Sequence, residues 1–323
     1  MRIVISGGTG FVGRALIQHL LRQNHEVTVL TRSPSRAWSR LGASVVAVDV
    51  EDDNALQRAV EGAGAVVNLA GESVVQGRWT EAAKNRIWNS RVTLTKRLVR
   101  AVVEAHDKPS VLVSASAVGF YGDTGEEEVD ETSKPSTGFL AELCTEWEAA
   151  ACVAEHHGVR VVRLRLGTVL GHDGGMMRRL LPLFRHRLGG TLGGGEQWMS
   201  WIHIDDLVAV VEAALFREDL RGAVNAVSPA PVRNKQFTGV LSRLMGKPAY
   251  LPVPASLIRL VFGDGADVLL EGTRAQPRRL LNSSFTFGYP EVEQALADIL
   301  KKSSSSWVIE RPDSAVSVER GGL

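Results

Sequence analysis

Three glycines near the amino end carry the clearest chemical signature in the chain. Gly7, Gly10 and Gly13 recur at three-residue spacing within Gly7-Gly8-Thr9-Gly10-Phe11-Val12-Gly13. The β-branched run Ile3-Val4-Ile5 precedes them, and the helical pattern Ala15, Leu16, Ile17, Leu20, Leu21 comes after. A strand, a glycine turn and a helix in that order form a cradle for the pyrophosphate of a dinucleotide. Gly7 permits the sharp turn, Gly10 lets the main chain approach the phosphates, and Gly13 lets the helix pack close to the strand. The helix start adds unpaired N–H groups and a partial positive charge. Thr9, Phe11 and Val12 complete the expected binding segment.

The adenosine end of such a cofactor is read by the residues just past the second strand, Val27-Thr28-Val29-Leu30. A chain that selects NAD places Asp or Glu there, roughly 20 residues past the glycine turn, to hold the 2′-hydroxyl. Here the segment is Thr31-Arg32-Ser33-Pro34-Ser35-Arg36, without an acid. Arg32 and Arg36 suit a 2′-phosphate, with Ser33 or Ser35 donating a hydrogen bond. NADP(H) is therefore expected in preference to NAD(H). The third strand ends in Asp49-Val50, where the carboxylate can accept from the adenine amino group. The fourth ends in Leu69-Ala70-Gly71, small residues where the main chain must pass close to the cofactor.

Glu72 comes next, close to the expected nicotinamide ribose, and burial would make its carboxylate a usable base. Arg78, Arg86 and Arg91 offer cations to an anionic substrate such as a nucleotide diphosphate, or else form a solvated helix face. Trp79, Trp198 and Trp201 suit either an apolar pocket wall or the core. None of the eight histidines has metal-ligand spacing, so no metal site is expected.

The elements behind these residues alternate. Apolar strand runs at 45–50, 65–71, 110–116 and 159–165 are separated by helical patterns. That alternation implies right-handed βαβ units, a parallel sheet, and ligands at the carboxyl ends of its strands. The fold class expected is α/β: a doubly wound parallel Rossmann sheet with a smaller C-terminal α/β domain on the substrate side. The core should span residues 1–228, with 172–200 reaching towards the substrate, and the smaller domain 229–301. The serine run from residue 303 and the lack of periodicity predict a disordered tail over 302–323. The acidic, turn-rich stretch 122–135 reads as a mobile surface loop.

A net charge of +1 gives no nucleic-acid or membrane signature, and no apolar stretch approaches a membrane span. The chain runs from Met1-Arg2 straight into a strand, so no signal peptide and a cytoplasmic location are expected. Cys144 and Cys152 lie two turns apart on one predicted helix, too far for a disulfide. A small-molecule substrate and a monomer or homodimer are the expected partners and state.

Together these residues resemble the short-chain dehydrogenase/reductase superfamily in its extended, nucleotide-sugar epimerase-like branch. The glycine turn, Ser114-Ala115-Ser116, Tyr121-Gly122 and Trp201-Ile202-His203-Ile204-Asp205-Asp206 carry that likeness. A narrower resemblance is to the atypical group called epimerase family proteins. Ala70-Gly71-Glu72, Arg78-Trp79-Thr80, Ser90-Arg91-Val92, Phe139-Leu140-Ala141 with Trp147-Glu148, and Pro277-Arg278-Arg279-Leu280-Leu281 carry it. The resemblance implies an NADP(H)-dependent oxidoreductase or epimerase acting on a nucleotide sugar or carbonyl compound. It also implies a structural role for the Trp201–Asp206 segment, with Asp205 as a helix N-cap.

One departure bears on the chemistry. The superfamily uses Tyr-x-x-x-Lys on a helix, the Lys charge lowering the Tyr pKa. The helix starting near Phe139 carries Leu140 and Cys144 at those two places. Ser116 remains of the catalytic set to orient a carbonyl, and Tyr121 or Glu72 would have to handle the proton. Otherwise the protein binds its cofactor without turnover, as a regulatory or scaffold protein. The resemblance then points to cell division, to which some plastid and cyanobacterial relatives are linked.

Overall fold

The computed structural model describes residues 1–41, 44–75, 77–249 and 251–305. β1 (Arg2–Ser6) leads through the glycine turn into α1 (Phe11–Arg22), then β2 (Glu26–Thr31), α2 (Pro34–Leu41), β3 (Val45–Asp49), α3 (Asp53–Val60) and β4 (Ala65–Asn68). A loop reaches α4 (Glu81–Trp88), which a π-helical turn at Asn89–Thr93 joins to α5 (Leu94–Glu104). β5 (Val111–Ala117), the short β6 (Glu128–Val129), α6 (Phe139–Cys152), β7 (Arg160–Leu166), β8 (Thr168–Leu170) and α7 (Met177–Arg185) come after it. Next are β9 (Trp198–Met199), β10 (Trp201–His203), α8 (Ile204–Phe216) and β11 (Gly222–Ala226). The remainder is β12 (Val232–Arg233), α9 (Asn234–Met245), α10 (Ala255–Phe262), α11 (Asp267–Leu270), β13 (Arg274–Ala275), α12 (Arg278–Asn282) and α13 (Val292–Ser305).

Seven parallel strands form the main sheet in the order β11-β7-β5-β4-β1-β2-β3. Chain direction across the sheet reverses at β1, which creates the crevice where a dinucleotide binds. Both faces are covered, so the strands read as continuous apolar runs and not as an alternation. Ile3 and Ile5 pack with Leu16, Ile17 and Leu20 of α1 and with Leu207 and Val211 of α8. Val4 faces the other way, to Leu56, Leu98 and Val102 of α3 and α5. Each such fully buried side chain contributes about 1.5–3 kcal/mol. Among the described residues no helix is long and apolar enough to cross a membrane.

Two expectations are corrected here. The acidic stretch 122–135 is held to the C-terminal segment rather than loose on the surface. β6 pairs with β13, Thr124 N–H donates to the Gly272 carbonyl, and the buried Glu131 accepts from Asn225 N–H. Acidic composition marked this stretch as solvated, but its carboxylates meet N–H groups and arginines, including Arg233 on Glu126. The predicted tail also begins too early, because α13 runs to Ser305. Residues 306–323 of that tail lie outside the described residues.

Candidate functional site

The glycine turn sits at the carboxyl edge of β1, and its three glycines differ in what surrounds them. Gly7 has φ +75°, and a Cβ there would lie 2.6 Å from the Leu69 carbonyl carbon and 2.7 Å from Ala70 N. The close approach of β4's end to the turn therefore requires glycine. At Gly13 a Cβ would overlap the Gly7 carbonyl oxygen and lie 2.6 Å from Gly8 Cα, so glycine lets α1 abut the turn. At Gly10 a Cβ would meet only the Gly7 oxygen, at 3.1 Å. Gly10 is the N-cap of α1 and has no side chain to cap it. The turn is tight on the protein side and open over Gly10, as a pyrophosphate cradle needs.

Other expected residues gather at the same edge with different commitments. The Phe11 ring packs against the glycines of the β8–α7 loop, with a Cβ at Gly171 only 2.6 Å away. Thr9's carbonyl accepts from the Arg14 guanidinium at 3.1 Å. Val12 and Leu69 are partly buried against the core. Arg32 and Arg36 lie exposed at the end of β2 and in the first turn of α2. Asp49 turns one carboxylate oxygen onto Glu51 N–H, 2.9 Å away. Val50 turns its side chain into the α3–α5 core, so its main chain is the part available to a cofactor.

The two hydroxyls of the expected set are already engaged by other side chains. Ser116 is buried and donates to Glu148 Oε1 at 2.8 Å. Glu148, from α6, also receives a forked contact from Arg165 of β7, with Nε and Nη2 at 2.8 and 3.0 Å. Arg165 donates to the Tyr121 hydroxyl at 2.9 Å, and that hydroxyl donates to Asn225 Oδ1 at 2.7 Å. Burial pushes the Tyr121 phenol up to about 12. Both hydroxyls are thus engaged in a polar network between α6, β7 and β11. The sequence signal for this network is slight: Arg163 and Arg165 flank Leu164 in a strand that also begins with Arg160.

Glu72 does lie at the crevice, but in an ion pair with Arg86 at 3.2 Å and about one-third exposed. Leu140 and Cys144 occupy the two helix positions expected of them, one half-buried and the other buried. Burial, aided by the Glu148 charge, pushes the Cys144 thiol up to about 11, so it stays neutral near pH 7. Trp79 and Trp147 pack with Leu143 beneath this spot, and Trp201 is fully buried.

His203, not Asp205, is the N-cap of α8: its Nδ1 accepts from Asp205 N–H at 3.2 Å. Its Nε2 lies 3.2 Å from Asp298 of α13, with Lys302 beside Asp205 and Asp298 and the Tyr289 ring against the imidazole. That ammonium already supplies the cation the two carboxylates need. Burial holds the His203 pKa below its ordinary 6.5. The unfolded chain then takes up the proton first, so stability is full above about pH 6.5 and declines as pH falls below it. His203→Asn keeps a capping acceptor and should flatten the stability–pH slope measured by urea unfolding between about pH 5 and 8. An unchanged slope would show that His203 is not its source.

Fold and glycine turn together define a dinucleotide-binding protein of Rossmann type. The pattern of the NAD dependent epimerase/dehydratase family matches residues 3–226, and the chain belongs to that family. A domain of unknown function (DUF1731) matches residues 253–299. Epimerase family protein SDR39U1 homolog, chloroplastic, of Arabidopsis thaliana is 39% identical over 304 residues, 93% of this chain and 87% of that protein. The crystal structure of human epimerase family protein SDR39U1 (isoform2) with NADPH superposes with a TM-score of 0.83. It is 34% identical and covers 93% of this chain and 99% of that one. UDP-glucuronic acid 4-epimerase from Bacillus cereus, in complex with UDP-glucuronic acid and NAD, shares the fold. Its TM-score is 0.77 at 17% identity, over 95% of this chain and 100% of that one.

Proposed function

We propose that the protein binds NADP(H) and acts as an oxidoreductase or epimerase-like enzyme on a small carbonyl compound or nucleotide sugar. The observation that carries this reading is the glycine turn, closed on the protein side at Gly7 and Gly13 and open over Gly10. NADPH in the related human structure supports the phosphorylated cofactor, although the more distant Bacillus enzyme holds NAD. When bound, the nicotinamide supplies hydride transfer. The glycine turn binds the pyrophosphate with main-chain N–H groups, and Gly71 and the main chain at Ala70 border the ring-side ribose. Arg32 and Arg36 pair with the 2′-phosphate at the start of α2, where Pro34 opens the helix.

With Leu140 and Cys144 in place of Tyr and Lys, proton transfer falls to Glu72 or to a bound water. Ser116 and Tyr121 are less suited, because their hydroxyls are engaged by Glu148, Asn225 and Arg165. That same engagement favours a second reading, a cofactor-binding regulatory or scaffold protein without turnover.

Calorimetric titration tests the cofactor assignment. NADPH should bind more tightly than NADH, and Arg32→Asp should erase most of the difference. Loss of one charge-assisted contact is worth about 1.5–3 kcal/mol, or roughly 10- to 150-fold. Equal affinities in the unmodified protein would sink the NADP(H) assignment. A panel of carbonyl compounds and nucleotide sugars, followed by nicotinamide absorbance and product analysis, separates the enzyme from the scaffold.

A further inference from the structure

Arg91 is set apart from the other cations near the crevice. Arg86 is paired with Glu72, while Arg78 is exposed and packs beside Gly263. The Arg91 side chain is partly buried, and among the described residues no carboxylate lies within ion-pair distance of it. Its partners are neutral acceptors: the Glu72 carbonyl at 2.8 Å, the Ile87 carbonyl at 3.3 Å and Ser90 Oγ at 3.3 Å. A cation drawn out of water, with the Glu72 carboxylate acting on it only from beyond ion-pair distance, is costly, so something must favour keeping it there.

The backbone delivers it by an unusual route. Arg91 is the central residue of the π-helical turn Asn89–Thr93 that interrupts α4 and α5. Such turns insert a residue into a helix and re-aim its side chains, frequently at functional sites. Here the guanidinium is laid against Gly71: a Cβ on that glycine would lie 3.0 Å from Arg91 Cζ and 3.3 Å from Nε. It also stacks over Trp147 of α6, 5.3 Å from the ring centroid. Trp147 lies three residues after Cys144, on the same helix face. The charge missing from Cys144 is thus supplied over the same face of α6 from another helix.

Sheet order says which half of a dinucleotide this is. The adenosine half lies towards β2, where its ribose is read, so the nicotinamide half lies on the opposite side of β1, over β4 and β5. Gly71 continues β4. We propose that Arg91 is the cation that holds the nicotinamide half of the cofactor, its ribose and adjoining phosphate, in place of a lysine at position 144. This role rests on the proposed binding of NADP(H). Arg91 thereby fixes the ring's position, while the proton for the reaction comes from elsewhere.

The test compares NADPH with 2′,5′-ADP, which has only the adenosine half, on the full chain. Arg91→Met and Arg91→Gln should weaken NADPH by about tenfold or more, one charge-assisted contact. The same variants should leave 2′,5′-ADP within about twofold, since its contacts lie at the glycine turn and β2. Arg91→Lys keeps the charge but not the fork and should fall between wild type and Gln. In the unmodified protein, NADPH should protect Arg91 from phenylglyoxal, read by mass spectrometry, and 2′,5′-ADP should not. That measurement decides the matter even where a variant fails to fold. Folded variants with unchanged NADPH affinity, equal losses for both ligands, or no selective protection would each overturn the role of Arg91 and leave the cofactor reading intact. Failure of wild type to bind either ligand would overturn both.

Discussion

Glu148→Ala should destabilise the fold by about 3–5 kcal/mol, the cost of leaving a buried charge without its partner. The carboxylate is buried and receives Arg165 through two contacts, Arg163 at 3.3 Å and the Ser116 hydroxyl. Removing it strands the buried Arg165 between the Phe120 ring, 3.5 Å from its guanidinium carbon, and Tyr121. Replacing both partners with apolar groups, Glu148→Leu with Arg165→Met, should recover most of the loss, because neither charge then has to be desolvated. Urea unfolding curves, read by midpoint and slope, measure both. A single-variant cost below about 1 kcal/mol would mean that water already reaches the pair.

Gly10→Val and Gly13→Val should fail in different ways. Gly10 is exposed and a Cβ there meets only the Gly7 oxygen, at 3.1 Å, so the valine variant should still fold, with a smaller fall in melting temperature than Gly13→Val. Its side chain would occupy the pyrophosphate position, removing two or more phosphate contacts worth about 1.5–3 kcal/mol each. NADPH affinity should fall by at least about 100-fold. Gly13→Val drives Cβ into the Gly7 carbonyl and Gly8 Cα, and overpacking of this kind should cost about 1–3 kcal/mol or more. Calorimetry with NADPH and thermal melts of both proteins give the comparison. Normal NADPH binding by a folded Gly10→Val protein would remove the turn as the cofactor site.

Features that rest on local stereochemistry were legible in the residues. The G-x-x-G-x-x-G turn could be read because its strand and helix lie within a few residues, although the contact that requires glycine at Gly7 comes from Leu69 and Ala70 at the end of β4. Alternating apolar patterns predicted the parallel sheet, and the end of β2 showed Arg32 where an acid would hold a ribose hydroxyl. Leu140 and Cys144 could be located by counting along one helix. Which polar groups face the crevice depended instead on long-range packing. Ser116 stands at a strand end in the right region, yet Glu148, 32 residues later, takes its hydroxyl into the interior. Tyr121 is enclosed by Arg165 and by Asn225, more than a hundred residues away. Strand period tells which face a side chain takes, but not what other element covers that face. The π turn at Asn89–Thr93 likewise left no mark in the sequence, since an inserted residue leaves the apolar spacing on either side intact. Three neighbouring arginines had equal standing as sequence. Only packing gave Arg86 a carboxylate in direct contact and set Arg91 against Gly71, with the Glu72 charge beyond ion-pair distance.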